Sequence, residues 1–94
     1  MAAVVNKYPQ GQKMLTGSQI RAGRALVRWT VEELAKSASI GFQTVRRAEA
    51  NDGPVNMLPN NEKAIRAALE AAGVEFIPEN GGGAGVRLRK TKAD

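Results

Sequence analysis

The stretch Thr30-Val31-Glu32-Glu33-Leu34-Ala35-Lys36-Ser37-Ala38-Ser39-Ile40-Gly41-Phe42-Gln43-Thr44-Val45-Arg46-Arg47-Ala48-Glu49 decides the fold. Thr30 and Glu33 have the spacing of a capping box, in which the hydroxyl accepts from an early helical N–H and the carboxylate reaches back to the cap residue's own N–H. The helix that follows runs from Val31 to Ala38 and places Val31, Leu34, Ala35 and Ala38 on one apolar side. Ser39-Ile40-Gly41 is too short a break to let the next helix travel far. That next helix opens near Phe42, with Val45 and Ala48 turned inward beside Ile40, and Gln43, Thr44, Arg46 and Arg47 on the other side. Asn51-Asp52-Gly53-Pro54 stops it, because Asn tolerates the left-handed backbone that follows a helix and Pro cannot continue one.

Working outward toward the N-terminus, Thr16 and Gln19 form a second capping-box spacing that starts a helix bearing Ile20, Gly23 or Arg24, and Val27 on one face. Gly23 inside that helix costs about 1 kcal/mol against Ala unless close packing compensates. Residues 1–15 read as a flexible N-terminal arm, having neither helical nor alternating period. Toward the C-terminus, an irregular link from Val55 to Pro59 leads to a helix over Asn60 to Ala72, with Ile65, Ala68, Leu69 and Ala72 on one stripe and Gly73 just past its end. Val74-Glu75-Phe76-Ile77 and Val86-Arg87-Leu88-Arg89 both alternate, and the glycine-rich run between them is able to reverse the chain, so residues 74–90 read as a β-hairpin and 91–94 as a flexible tail. The expected fold is mainly α: four helices over residues 16–73, followed by the hairpin.

At 94 residues the chain suits one small domain. With no Cys and no His, it has neither a disulfide framework nor the usual soft metal ligands, and neither a metal nor a cofactor is expected. The same absence, with no clustered carboxylates, argues against an enzyme. The glycine run lacks the Lys-Ser or Lys-Thr step and the following helix of a phosphate loop. No run is long and apolar enough for a membrane span, and Met1 to Asn6 lacks the pattern of a secretory signal, so a cytoplasmic protein is expected. Fourteen basic residues against nine acidic give a formal charge of +5, which favours a polyanionic partner. The charge is uneven: Gly17 to Ala50 carries six basic and three acidic residues, whereas Asn51 to Glu79 carries two and five, so one binding face is expected.

The run from Arg24 to Glu49 resembles the Xre family, the phage Cro and CI repressor type of helix-turn-helix. The resemblance is carried most specifically by Trp29-Thr30, Glu33-Leu34-Ala35, Ile40, Thr44-Val45 and Glu49 at the family's separations. It implies that the helix opening at Phe42 is a recognition helix. Phe42, Gln43 and Arg47 then match positions that touch bases. Arg46 falls at the periphery of the base contacts, and Thr44 falls with the backbone contacts. Arg24 and Glu49 match a pair that forms an internal salt bridge. Three positions depart from the family: Val31 stands where many relatives have a phosphate-contacting Gln, Gly41 replaces a Ser or Thr cap, and Asn51 replaces a frequent Gly.

The side chains suit that role. In a major groove Arg donates two bonds to guanine and Gln pairs with the edge of adenine, and Gln43 and Arg47 stand one helical turn apart. Phe42 either meets a thymine methyl or braces the preceding helix. Adjacent arginines diverge by about 100° on a helix, so Arg46 and Arg47 divide between base and phosphate, or simply form a solvated face. Backbone contacts fall to Thr30, Lys36, Thr44, Arg21 and Arg28, aided by helix-start N–H groups. The basic tail, Arg87, Arg89, Lys90 and Lys92, either touches flanking backbone or keeps a strand edge soluble. Trp29 reads as an anchor between helices.

The expected function is that of a double-stranded DNA-binding regulator acting as a homodimer, with Phe76, Ile77, Val86 and Leu88 the candidate dimer contact and the fourth helix the other option. Two further readings stand beside it. One is an antitoxin or antiactivator whose hairpin or arm captures a protein partner, and the other is an accessory protein that bends DNA.

Overall fold

The computed structural model describes residues 14–90, so residues 1–13 of the expected arm and the expected tail at 91–94 lie outside the described residues. Four helices, α1 (Gly17–Val27), α2 (Val31–Ala38), α3 (Phe42–Glu49) and α4 (Pro59–Ala71), precede a hairpin of β1 (Val74–Ile77) and β2 (Gly85–Leu88). The fold is therefore the expected one, mainly helical with a C-terminal hairpin. Among the described residues no helix is long and apolar enough to cross a membrane.

Both capping boxes form. The Thr16 hydroxyl accepts from the Gln19 N–H at 3.0 Å and the Gln19 side chain accepts from the Thr16 N–H at 2.9 Å. Thr30 and Glu33 do the same at 3.0 and 2.8 Å. Two helices end on left-handed residues, Arg28 after α1 and Ser39 after α2. These tight reversals bring α1, α2 and α3 together over the shortest chain. Gly73 supplies the left-handed turn after α4, at φ +110°, where a β-carbon would be strained.

The core joins Ile20, Leu34, Val45, Ile65, Leu69 and Val74, one or two residues from each helix and one from β1. Gly23 packs rather than bends: a β-carbon there would lie 3.3 Å from Leu69 Cδ1 and 3.5 Å from Val74 Cγ1. The helical glycine is thus compensated by close approach of α4 and β1. Gly17 is tighter still, since a β-carbon would overlap the carbonyl oxygen of Asn51 and stand 2.6 Å from that of Ala48.

Four expectations are corrected. Met14 and Leu15 belong to the folded body and not to the arm: Leu15 is fully buried, its N–H donates to Glu62 Oε2 at 3.2 Å, and its carbonyl accepts from the Val55 N–H at 2.9 Å. A single antiparallel bridge between Thr16 and Pro54 continues that pairing. Helix α4 opens one residue early, with Pro59 in its first turn, where the missing N–H costs nothing. Asn51 is not left-handed, because the only described non-glycine residues at positive φ are Arg28 and Ser39. It caps the turn through its side chain instead: Oδ1 accepts from the Gly53 N–H at 3.3 Å and Nδ2 donates to the Pro54 carbonyl at 3.1 Å.

The hairpin, fourth, does not present the expected apolar face. Its register pairs Val74 with Leu88 and Phe76 with Val86 on one face, and Glu75 with Arg87 and Ile77 with Gly85 on the other. A strand alternates sides at every residue, so Ile77 does not share the face of Phe76. Phe76 and Val86 pack against the core, and the Arg66 guanidinium lies over the Phe76 ring at 5.3 Å. Of the four residues expected to form an open dimer face, Leu88 alone is a large exposed hydrophobic. Gln19 fastens the hairpin to α1, its Nε2 donating to the Gly85 carbonyl at 3.1 Å and to that of Ile77 at 3.4 Å.

Candidate nucleic-acid interface

The outward face of α3 is the site the sequence points to, and its orientation follows from what the helix buries. Val45, Ala48 and Glu49 are buried, whereas Gln43, Arg46 and Arg47 are exposed. At about 100° per residue, Gln43 and Arg47 lie nearly opposite the buried stripe, with Phe42 and Arg46 on one flank and Thr44 on the other. The described residues thus bring Gln43 and Arg47 onto one ridge and set Arg46 to its side.

Phe42 is half-buried and packs against the core near Val31, and Arg46 lays its guanidinium over the ring at 5.4 Å. Of its two readings, the bracing of α2 is the one the packing favours. Glu32, Glu49 and Arg21 line the same shallow concavity, so charges of both signs border the Arg46 flank. The opposite flank has a different character: Thr44 and Arg47 border a second concavity with Asn56, Met57, Leu58 and Asn61. No carboxylate lines that hollow, and Leu58, at the N-cap of α4, is 69% exposed.

The base of α3 is clamped from α1. Arg24 Nε and Nη2 donate to Glu49 Oε2 and Oε1 at 2.7 and 2.8 Å, and Nη1 donates to the Trp29 carbonyl at 3.0 Å. This planar fork, expected from the resemblance, is the bidentate geometry for which guanidinium is suited. The Glu49 hydrogen bond raises the Arg24 pKa above its ordinary value against the opposing effect of burial. Trp29 itself is half-buried against the core and bonded through its backbone to Arg24, as an anchor between α1 and α2 should be.

Arg21, expected at the DNA backbone, is engaged within the protein. Its guanidinium donates to the Glu49 carbonyl, to Asp52 Oδ1 and to Ser18 Oγ, so it is bonded to the end of α3 and the loop beyond. A cation there complements the partial negative charge of a helix C-terminus. Of the remaining backbone-contact candidates, Thr30, Lys36 and Arg28 are exposed and Thr44 is half-buried. Thr30 caps α2, Lys36 lies in its last turn, and Arg28 ends α1. Gly41 caps α3 without a side-chain bond, which leaves early N–H groups of that helix for solvent or a ligand. Among the described residues there is no group of three or more acidic side chains placed to hold a metal ion.

No protein-family model and no curated protein sequence matches this chain.

Sequence reasoning missed three contributors. Arg21 as a brace for α3 depends on partners 28 and 31 positions away, for which local spacing carries no signal. Leu58 was passed over inside an irregular link, although a Pro in the next position marks a helix start. Gln19 was read as a cap alone, whereas its side-chain amide also holds the hairpin.

Proposed function

We propose that the protein is a sequence-specific double-stranded DNA-binding regulator of the Xre, or Cro and CI, type, which inserts α3 into the major groove. The observation that carries this reading is the division of α3. Its inner stripe is locked in the core and clamped by Arg24, while its outer ridge presents Gln43 and Arg47 with no acidic side chain between them. Such a helix has the diameter and the donor chemistry that a major groove accepts. Arg46 contacts the groove edge from the Phe42 flank, and Thr30, Thr44, Lys36 and Arg28 serve the sugar-phosphate backbone. The protein acts by binding rather than by catalysis, and needs no cofactor for it.

One recognition helix spans only a few base pairs, so the active form is a homodimer that places two such helices about 34 Å apart. The natural setting is the nucleoid in the cytoplasm. Binding of a protein partner in the manner of an antitoxin is compatible with the same fold but draws on no particular contact.

Selection of bound fragments from a random duplex library tests binding, half-site symmetry and spacing together. Recovery of no enriched sequence, with no retention of any duplex at low salt, would sink the proposal. Arg47→Ala should lower affinity for the selected site by roughly 1–3 kcal/mol and relax preference at one position, whereas Lys36→Ala should weaken all sequences alike and flatten the salt dependence. An equal loss on every sequence for Arg47→Ala would remove it from base reading.

A further inference from the structure

The hairpin tip, Pro78-Glu79-Asn80-Gly81-Gly82-Gly83, contains a grouping of reactive atoms that DNA binding does not use. Asn80-Gly81 is the one asparagine-glycine step in the sequence; Asn6, Asn51, Asn56, Asn60 and Asn61 are each followed by a residue with a side chain. Around it, Glu79 Oε2 accepts from the Gly81 N–H at 3.0 Å and from the Gly83 N–H at 3.3 Å. The Asn80 side chain folds forward, its Oδ1 accepting from the Gly82 N–H at 3.2 Å. Both residues are exposed to water, and Gly81 holds φ +101°, with nothing near the position of a β-carbon.

From this geometry we propose that Asn80 is a site of spontaneous deamidation assisted by Glu79. The Gly81 backbone nitrogen is the nucleophile, and the carboxylate on its N–H is the proton acceptor. The Gly82 N–H polarises the side-chain carbonyl under attack, as an oxyanion donor does. The bond from Gly81 N to Asn80 Cγ forms as the Cγ–Nδ2 bond breaks. The proton on Gly81 passes to Glu79, which returns it to Nδ2, so that the amide nitrogen departs as ammonia and a cyclic imide remains. Water then opens the imide at one carbonyl or the other, giving aspartate at position 80 or its isoaspartyl form. Either product lowers the formal charge from +5 by one, and the second also lengthens the backbone at the turn.

Two places in the same chain serve as internal controls. Asn51 also folds its side chain forward, onto the Gly53 N–H, but its follower Asp52 carries a side chain that crowds the attacking nitrogen. Asp52 precedes a glycine, yet its carboxylate is bonded to Arg21 and is a poor electrophile while ionised.

The test is incubation of the full chain at mildly alkaline pH, with peptide mapping by mass spectrometry and enzymatic methylation of isoaspartate. The expected result is a mass gain of roughly one dalton at Asn80 with isoaspartate at the same position, while Asn51 stays intact. Glu79→Gln, which keeps a hydrogen-bond acceptor but loses the base, should slow conversion several-fold, as should Glu79→Ala. Absence of conversion at Asn80, or conversion no faster than at Asn51, overturns the site. A Glu79→Gln rate equal to that of the unaltered chain, with only Glu79→Ala slower, overturns Glu79 as proton acceptor and reduces it to a prop for the loop.

Discussion

Arg24–Glu49 and Arg87–Glu75 are pairs of the same chemistry at nearly the same length, 2.7 and 2.6 Å, placed at opposite ends of the fold's functional logic. The first joins α1 to the end of α3, with side chains 22% and 8% exposed and two parallel bonds. The second crosses the outer face of the hairpin with side chains 66% and 44% exposed and the single bond from Arg87 Nε. Solvent screens the outer pair, so its net worth is small, whereas removing one partner of the inner pair strands a charge away from water. The comparison teaches that contact distance does not rank these interactions; what lies around them does. It also separates α3, held from behind by a largely buried fork, from a hairpin face that stays in contact with water.

Arg24→Ala tests the difference most severely. Breaking a buried pair typically costs ~3–5 kcal/mol, and the partial exposure of Arg24 lowers the expectation to about 2–3 kcal/mol. The measurement is a denaturant midpoint with unchanged slope. A loss below about 1 kcal/mol would mean that Glu49 finds water when its partner goes, and would erase the distinction between the two pairs. Under the proposed DNA-binding function, affinity supplies a second readout on folded protein, because an α3 freed from its clamp should lose affinity even where the ridge residues are unchanged.

Thr30→Ala addresses the same region through its helix start. The hydroxyl satisfies the Glu33 N–H, and Glu33 in turn satisfies the Thr30 N–H. Loss of such a cap costs about 1 kcal/mol, an intermediate effect on the same midpoint. Thr30→Ser should recover most of it. Failure of the serine to rescue would assign the effect to packing of the methyl group rather than to the cap.

How legible these features were follows from their range along the chain. Capping boxes at Thr16 and Thr30 and the inward stripe of α3 depend on residues three or four apart, and the sequence displays them openly. The Arg24–Glu49 clamp was reached through family resemblance, since nothing local joins residues 25 positions apart. The burial of Leu15 depends on Val55 and Glu62, contacts that a polar, aperiodic N-terminal stretch does not announce. The residue type of Asn51 permits a left-handed backbone, but its side chain satisfies the turn instead. Hydrophobicity alone groups Ile77 with Phe76, although the strand's own two-residue period separates them.

The smallest expected effect is at the outer pair. Arg87→Ala removes the cation opposite Glu75 on a face where both groups remain hydrated, so the change in stability should stay within about 0.5 kcal/mol. A single variant conflates the pair with the lost stem of Arg87, which covers part of the strand surface. The decisive measurement is therefore a double-mutant cycle with Glu75→Ala, read as the coupling between the two changes. A coupling of a few tenths of a kcal/mol, diminishing with added salt, is the expected outcome. A coupling above about 1 kcal/mol that persists in high salt would show the hairpin's outer face to be shielded from water in solution. That result would return the hairpin to consideration as a dimer contact, through Ile77 and the outer pair rather than through Phe76 and Val86, which the protein's own core already covers.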